Sequence, residues 1–246
     1  MRRPAAALSS AIAFMTVIPL RSAPIGASLI FFPLAGVLIG CADWAAIRLA
    51  SSAHDLILTG VVGVGVDAIL TRGLHYDAIA DTFDGLSGFH PRERRLAIMK
   101  EPAIGALGAL ALALVVIARV AAFGGAAALL GGLVVLMALS RSVMAVSVIW
   151  LPGATASGLG AWFRENAPRY AAWVVLLEAA LLAGAAVLLL GVTVVTPIGV
   201  GAVAAVFLAS LSVYRFGGIT GDVVGAIGMV FETVTLLAMV AIRLHG

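Results

Sequence analysis

In the stretch Arg72–His90, RGLHYDAIADTFDGLSGFH, three carboxylates fall within eight residues: Asp77, Asp81 and Asp84. His75 and His90 flank them. Their spacings are i, i+4 and i+7, which places all three on one face of a helix. Carboxylates stacked this closely repel one another, so the pattern needs a compensating cation. Oxygen-rich sites suit hard cations, and Mg²⁺ characteristically takes one or two carboxylates plus substrate phosphates. The stripe therefore reads as half of a metal site that a diphosphate would complete. A solvated surface helix fits less well. No Lys stands at i+4 to any of the acids, and Ile79, Ala80, Phe83 and Leu86 make the other face apolar.

The complementary charges follow at once. HPRERRLAIMKEP carries Arg92, Arg94, Arg95 and Lys100, the only lysine of the chain. Arginine grips phosphate through two nitrogens and lysine acts as a point charge. Some of these would bind phosphate and others lipid headgroups; Lys100, closest to the next span, is the stronger candidate for substrate. Arg141 lies well inside an apolar run and is expected to face the acids or a phosphate. Asp67 also sits in an apolar segment, where ionisable groups are costly and functional by default; a pairing with Arg72 is the alternative. Asp222, after GGITG, is either an N-cap or a further metal ligand. His75 is a candidate general base or ligand.

The elements that position these groups follow from composition. The chain has 246 residues, 63% hydrophobic and 11% charged, with a mean hydropathy of +1.16. Soluble domains carry about 25% charged residues. The chain is therefore a single integral membrane domain spanning residues 1–246, and its long Leu-, Ala-, Val- and Gly-rich runs make it all-α, a polytopic transmembrane helical bundle. Expected spans are Ser28–Leu49, Leu56–Leu70, Ile104–Ala118, Ala122–Leu139 (extending toward Trp150), Ala171–Leu190, Ile198–Val213 and Val223–Ile242, about seven in all. Met1–Leu20 is a short N-terminal segment that crosses or lies flat at the interface. Its signal-like look suits the first segment of a polytopic protein.

Three polar stretches remain: Thr71–Pro102, Pro152–Pro168 and Tyr214–Asp222. Two spans separate each from the next, so all three emerge on one side. That side collects Arg72, Arg92, Arg94, Arg95, Lys100, Arg164, Arg169 and Arg215, and two more crossings add Arg21. The other ends hold Arg48, Arg119 and Arg243. By the positive-inside tendency the polar side is cytoplasmic. The net charge of +3 thus marks helix ends rather than a nucleic-acid partner. The lone Cys41 excludes an internal disulfide.

TRGLHYDAIADTFDGLSG followed by RERRLAIMKEPAIGALGALAL resembles the cobalamin synthases, the adenosylcobinamide-GDP ribazoletransferases. SRSVMAV, LPGATASGLGAWF and FGGITGDVVGA add ordered similarity from Thr71 to about Gly225. Ala78 stands where the family pattern has Gly, and Glu101–Pro102 where an Asp and a small residue are common. Neither change removes a carboxylate from the stripe. The resemblance implies an Mg²⁺-dependent enzyme of the bacterial or archaeal cytoplasmic membrane. It would join α-ribazole, or its 5′-phosphate, to adenosylcobinamide-GDP with loss of GMP. Asp77, Asp81, Asp84 and Asp222 would hold the metal, and Arg95, Lys100 and Arg141 the phosphates. Asp84, another carboxylate of the stripe, or His75 would take the proton. CDP-alcohol phosphotransferases and prenyltransferases also set aspartates at helical spacing. Here, however, DAIADTFDG lacks the Arg of the former, and there is no second Asp-rich motif of the latter. A transporter would place its acids at the membrane midplane.

Overall fold

The computed structural model describes residues 2–20, 25–126, 129, 131–156 and 158–245, so Arg21 lies outside the described residues, as does the side chain of Arg243. Within them the chain is helical: α1 (Arg2–Met15), α2 (Phe32–Ala50), α3 (Leu56–Thr71), α4 (Leu74–Leu86), α5 (Arg92–Ile98), α6 (Ala106–Ala126), α7 (Gly132–Trp150), α8 (Leu159–Asn166), α9 (Ala171–Leu190), α10 (Val195–Phe216) and α11 (Gly221–His245). Among the described residues the only strand-like pairing is one isolated parallel bridge between Gly153 and Ile219. Six helical stretches are long and apolar enough to cross a bilayer: Gly26–Ala53, Ala106–Ala126, Gly132–Trp150, Ala171–Leu190, Val192–Phe216 and Gly221–Ile242. The pair α3 and α4, bent by 89° at its break, is a broken span or a re-entrant loop. The protein is a multi-pass helical membrane bundle.

The expected spans shift in two places. Ile104–Ala118 moves to Ala106–Ala126, because its first turn waits for the Pro102–Gly105 segment. Ala122–Leu139 divides, its start joining α6 and its end joining α7. Helix α1 has 14 residues, about 21 Å of helix, which is too short for a hydrocarbon core of about 30 Å.

The bend that aims the acidic stripe is local backbone chemistry. Helix α3 starts under an Asp55 cap that accepts from the Leu58 N–H. It ends where Arg72 and Gly73 both take left-handed conformations, φ +57° and +67°. The Gly73 N–H then bonds back to the Ala68 carbonyl at 2.7 Å, a C-terminal stop. The chain leaves sideways, so α4 lies across the end of the bundle and is not itself a span. It packs there against α11 and α6. Glycines bring the neighbours close: a Cβ at Gly60 would sit 2.0 Å from the Val120 carbonyl oxygen, and one at Gly124 2.4 Å from that of Leu56. Helices α3 and α6 therefore touch backbone to backbone.

The polar loops are tied together as well. The Ile219 N–H bonds the Pro152 carbonyl, and the Ala154 N–H bonds the Ile219 carbonyl. Arg92 at the start of α5 donates to the carbonyls of Phe216 and Ala154. All three polar stretches thus meet at one end of the bundle.

The middle of the bundle is held by charges that hydropathy averages conceal. Arg119 of α6 is fully buried, donates to Asp67 of α3 at 2.8 Å, and also pairs with Glu232 of α11. Glu232 in turn accepts from Arg141 and Ser140 of α7. Tyr76 of α4 donates to Asp67 at 2.8 Å and accepts from Arg119 Nε at 3.0 Å. Five helices share this one network. Two expectations are corrected by it. Arg119 does not sit at the far end of the bundle, and Asp67 pairs with Arg119 rather than Arg72. Glu232→Ala leaves two buried guanidinium groups facing each other. It should cost about 3–5 kcal/mol, read as a lowered thermal midpoint of the detergent-solubilised protein.

Candidate active site

Helix α4 presents different chemistry on its two faces. Asp77 is exposed and Asp81 half-buried. Both line a polar cleft of about 940 Å³ together with Arg72, Lys100 and Glu101. Apolar side chains, Leu74, Ala80, Met99 and Leu112, share the lining with the segment Pro102–Ile104 that leads into α6. Lys100 and the first two acids of the stripe therefore meet as the spacing predicts.

Asp84, one turn further on, has another partner. It is buried, and its two carboxylate oxygens accept from the N–H groups of Gly105 at 2.6 Å and Gly108 at 2.7 Å. Those are donors at the start of α6 that no intrahelical carbonyl can satisfy. Asp84 is thus an N-cap supplied by another helix. Glycine is required opposite it, because a Cβ at Gly108 would lie 2.3 Å from the carboxylate.

Asp222 approaches the stripe from α11. It is half-buried and does not cap its helix. The cap is Thr220, whose hydroxyl accepts from the Val223 N–H at 3.2 Å. The Asp222 carboxylate is left facing α4. Its charge is felt at Asp81, whose carboxyl is pushed up to about 6, first by burial and then by the charges of Asp77, Asp222 and Asp84.

Set beside known proteins, the chain matches the family model described as cobalamin-5-phosphate synthase over residues 7–240. The chain belongs to that family. Curated relatives include an adenosylcobinamide-GDP ribazoletransferase of Pseudomonas fluorescens (strain Pf0-1), 31% identical over 87% of this chain and 88% of the relative. Another, of Herpetosiphon aurantiacus, is 32% identical over 97% of each. A third, of Roseiflexus sp. (strain RS-1), is 32% identical over 96% of this chain and 90% of the relative. No solved structure matches the chain.

In this member of the synthase family three of the expected site residues turn away from the cleft. Arg95 is 2% exposed, and its guanidinium donates to the backbone carbonyls of His90, Gly85, Ser87 and Gly88. It clamps the loop that ends α4 and has no free fork for phosphate. Arg141 is engaged by Glu232 deep in the bundle. His75 sits on the opposite face of α4 from the acids. It is 2% exposed, beside Gly225 of α11. Burial and then the charge of Arg141 push its imidazole down to about 3. It is a neutral histidine, out of line to serve the acids as their proton acceptor.

Among the described residues no three His, Cys, Asp or Glu side chains converge to hold an ion, and Asp84 is engaged by the start of α6. The donor chemistry instead fits Mg²⁺ that keeps most of its water and touches one or two carboxylates. Asp77, Asp81 and Asp222 are the acids that could hold such an ion, and a cation would relieve their mutual repulsion.

Arg119, Glu232 and Tyr76 are what the sequence reading missed as a network. The signal was present as charged residues inside apolar spans, IARVA and VFETV, which in lipid demand partners.

Two outcomes follow from this geometry. A carboxyl raised from 3.8 to about 6 favours the protonated protein, so the metal-free form should lose thermal stability as pH rises through about 6. Mg²⁺ should raise the midpoint at about pH 7.5 and barely at about pH 5, and Asp81→Asn should remove both effects. Asp84→Ala should lower stability by about 1–2 kcal/mol, as loss of a cap does, while the Mg²⁺-dependent rise persists.

Proposed function

We propose that the chain is an Mg²⁺-dependent adenosylcobinamide-GDP ribazoletransferase working at the cytoplasmic face of a bacterial or archaeal inner membrane. The observation that carries this reading is the cleft in which Asp77, Asp81 and Lys100 face one another, at the membrane end where the polar loops gather. The relatives' shared name supplies the substrates, adenosylcobinamide-GDP and a ribazole, and the cleft has the charges a diphosphate requires. The arginine-rich polar end supports the cytoplasmic assignment.

In this mechanism a ribose hydroxyl oxygen of α-ribazole (or of its 5′-phosphate, whose phosphate is retained) attacks the phosphorus on the cobinamide side of the diphosphate. The bond to the bridging oxygen breaks and GMP leaves with that oxygen. Adenosylcobalamin, or its 5′-phosphate, is the product. Asp77, Asp81 and Asp222 would supply the one or two carboxylates that hold Mg²⁺, which would neutralise charge on the diphosphate and the departing GMP. Lys100 offsets the negative charge that grows on the leaving phosphate. Asp77 or Asp81, facing the cleft, accepts the hydroxyl proton; a carboxyl near 6 is well matched to that task at neutral pH. Asp84 keeps the start of α6 in place behind them.

The test is turnover by purified, detergent-solubilised protein given adenosylcobinamide-GDP and α-ribazole. Release of GMP and cobalamin should need Mg²⁺ and stop with EDTA. It should fall by about 10²-fold or more in Asp81→Asn and in Lys100→Ala. A folded wild type that makes no product with either ribazole form would overturn the assignment.

A further inference from the structure

Asp43 lies in the middle of α2, inside a membrane-crossing stretch. Its side chain is 0% exposed, and neither of its carboxylate oxygens has a hydrogen-bond partner. An ionised carboxylate buried without a partner is among the most costly features a protein can carry, and within a span such a group marks a function. The acidic cleft does not account for it, because Asp43 is not among the residues that line it. The charges it faces come from four other helices: Asp67 of α3, Arg119 of α6, Glu232 of α11 and Arg141 of α7.

The two arginines are engaged elsewhere. Arg119 donates from Nε to the Tyr76 hydroxyl, from one terminal nitrogen to Glu232 and Thr233, and from the other to Asp67. Arg141 donates to Glu232 and to the Ser140 hydroxyl, and its Nε has no partner. Asp67 shows the same deficit on a smaller scale. Its Oδ2 accepts from Tyr76 and Arg119, while its buried Oδ1 accepts from nothing. Helix α2 packs on α3, and Asp67 is the charge that Asp43 feels most strongly. Two acids thus leave three buried oxygens open in one neighbourhood.

The charges do not balance either. Among the described residues the network holds three carboxylates, Asp43, Asp67 and Glu232, against two guanidinium groups, Arg119 and Arg141. His75, which also feels both arginines, is neutral and adds nothing. One negative charge is left over. No three His, Cys, Asp or Glu side chains of the described residues converge here to cage a divalent metal, and the surplus is a single charge.

We propose that the middle of the bundle binds one monovalent cation, a proton or an alkali ion, between the Asp43 carboxylate and the open oxygen of Asp67. With the cation in place the network is neutral, and α2 is tied to the five helices that already share it. Without it, Asp43 and Asp67 repel each other across the α2–α3 contact. Tyr76 donates to Asp67, so the site also stands behind the first turn of α4, the helix that carries the acidic stripe.

The experiment compares wild type, Asp43→Asn and Asp67→Asn as full-length, detergent-solubilised protein without Mg²⁺. Each is placed in choline, sodium or potassium chloride at one pH and ionic strength. The thermal midpoint and the infrared carbonyl band of protonated carboxylic acids are measured. A proton as ligand predicts a band in wild type that Asp43→Asn lacks, with a midpoint indifferent to the salt. An alkali ion predicts a midpoint about 5 °C or more above that in choline, at about 100 times its dissociation constant, and a loss of that rise in Asp43→Asn. Asp67→Asn removes the surplus charge from the other side, so it should abolish the band or the salt response as well; burial of Asp43 alone would leave them. Asp43→Asn is neutral and nearly isosteric, so it should fold, and the Mg²⁺-dependent rise should persist in it. A folded wild type with neither a band assignable to Asp43 nor an alkali response overturns the proposal. A band or response that folded Asp67→Asn leaves unchanged overturns it too. If Asp67→Asn does not fold, the comparison with Asp43→Asn decides alone.

Discussion

Arg119 is the residue on which the arrangement turns. In the apolar middle of the bundle a guanidinium cannot stay without carboxylates, and those carboxylates cannot stay without it. Asp67 and Glu232 come to it from α3 and α11. Ring faces shield it further, with the Phe123 centroid 4.6 Å and that of Tyr76 5.6 Å from its central carbon. Such groups have few alternatives in a low-dielectric interior, so the network specifies which helices are neighbours. Hydrophobic packing between lipid-exposed helices does not discriminate in that way. Through Tyr76 the same network reaches α4. The charged middle of the bundle thereby registers the helix that carries the acids at its end.

Helix α4 then divides the molecule's chemistry. One face carries Asp77 and Asp81 to a broad polar cleft. The other carries His75, Tyr76 and Ile79 inward. The elbow at Arg72 and Gly73 makes this possible, since a straight continuation of α3 would have driven the stripe onward along the span direction. Gly225 supports the inward face by letting α11 approach: a Cβ there would fall 2.8 Å from that of Ala78. Ala78, where the family pattern has Gly, thus sits at a helix contact and not in the acidic cleft. The cost of holding like charges together falls on Asp81, whose carboxyl is raised by burial and by its acidic neighbours.

Several groups that look catalytic in the sequence serve to hold the catalytic ones. Asp84 closes the start of α6, and Arg95 ties off the loop after α4 through four carbonyls. Arg92 joins α5 to the other polar loops. These side chains satisfy backbone groups that the broken helices leave open near the membrane end, where water is scarce and unpaired donors and acceptors are expensive. A membrane enzyme that builds its site from helix ends needs such groups in number, and it draws them from the same residue types that bind metals and phosphates.

What the sequence determined by itself was whatever depends on near neighbours. The membrane class, the α9 span at Ala171–Leu190 and the common side of the three polar stretches follow from hydropathy and parity, because lipid forces each backbone segment to satisfy itself. The stripe was legible because i, i+4 and i+7 form a face in any helix, and Lys100 joined it from the next turn of chain. The partners of Asp84, Arg95, Arg141 and Arg119 were not legible. Most of their oxygens and nitrogens bond to groups 5 to 113 positions away, and many of those are backbone atoms that carry no residue signature. Nor does spacing say which side of α4 faces α11, so His75 could be placed near the acids in sequence yet end on the opposite face. Only the tertiary packing, fixed by the buried charges and the glycine contacts, decided which polar groups became scaffold and which were left facing a cavity.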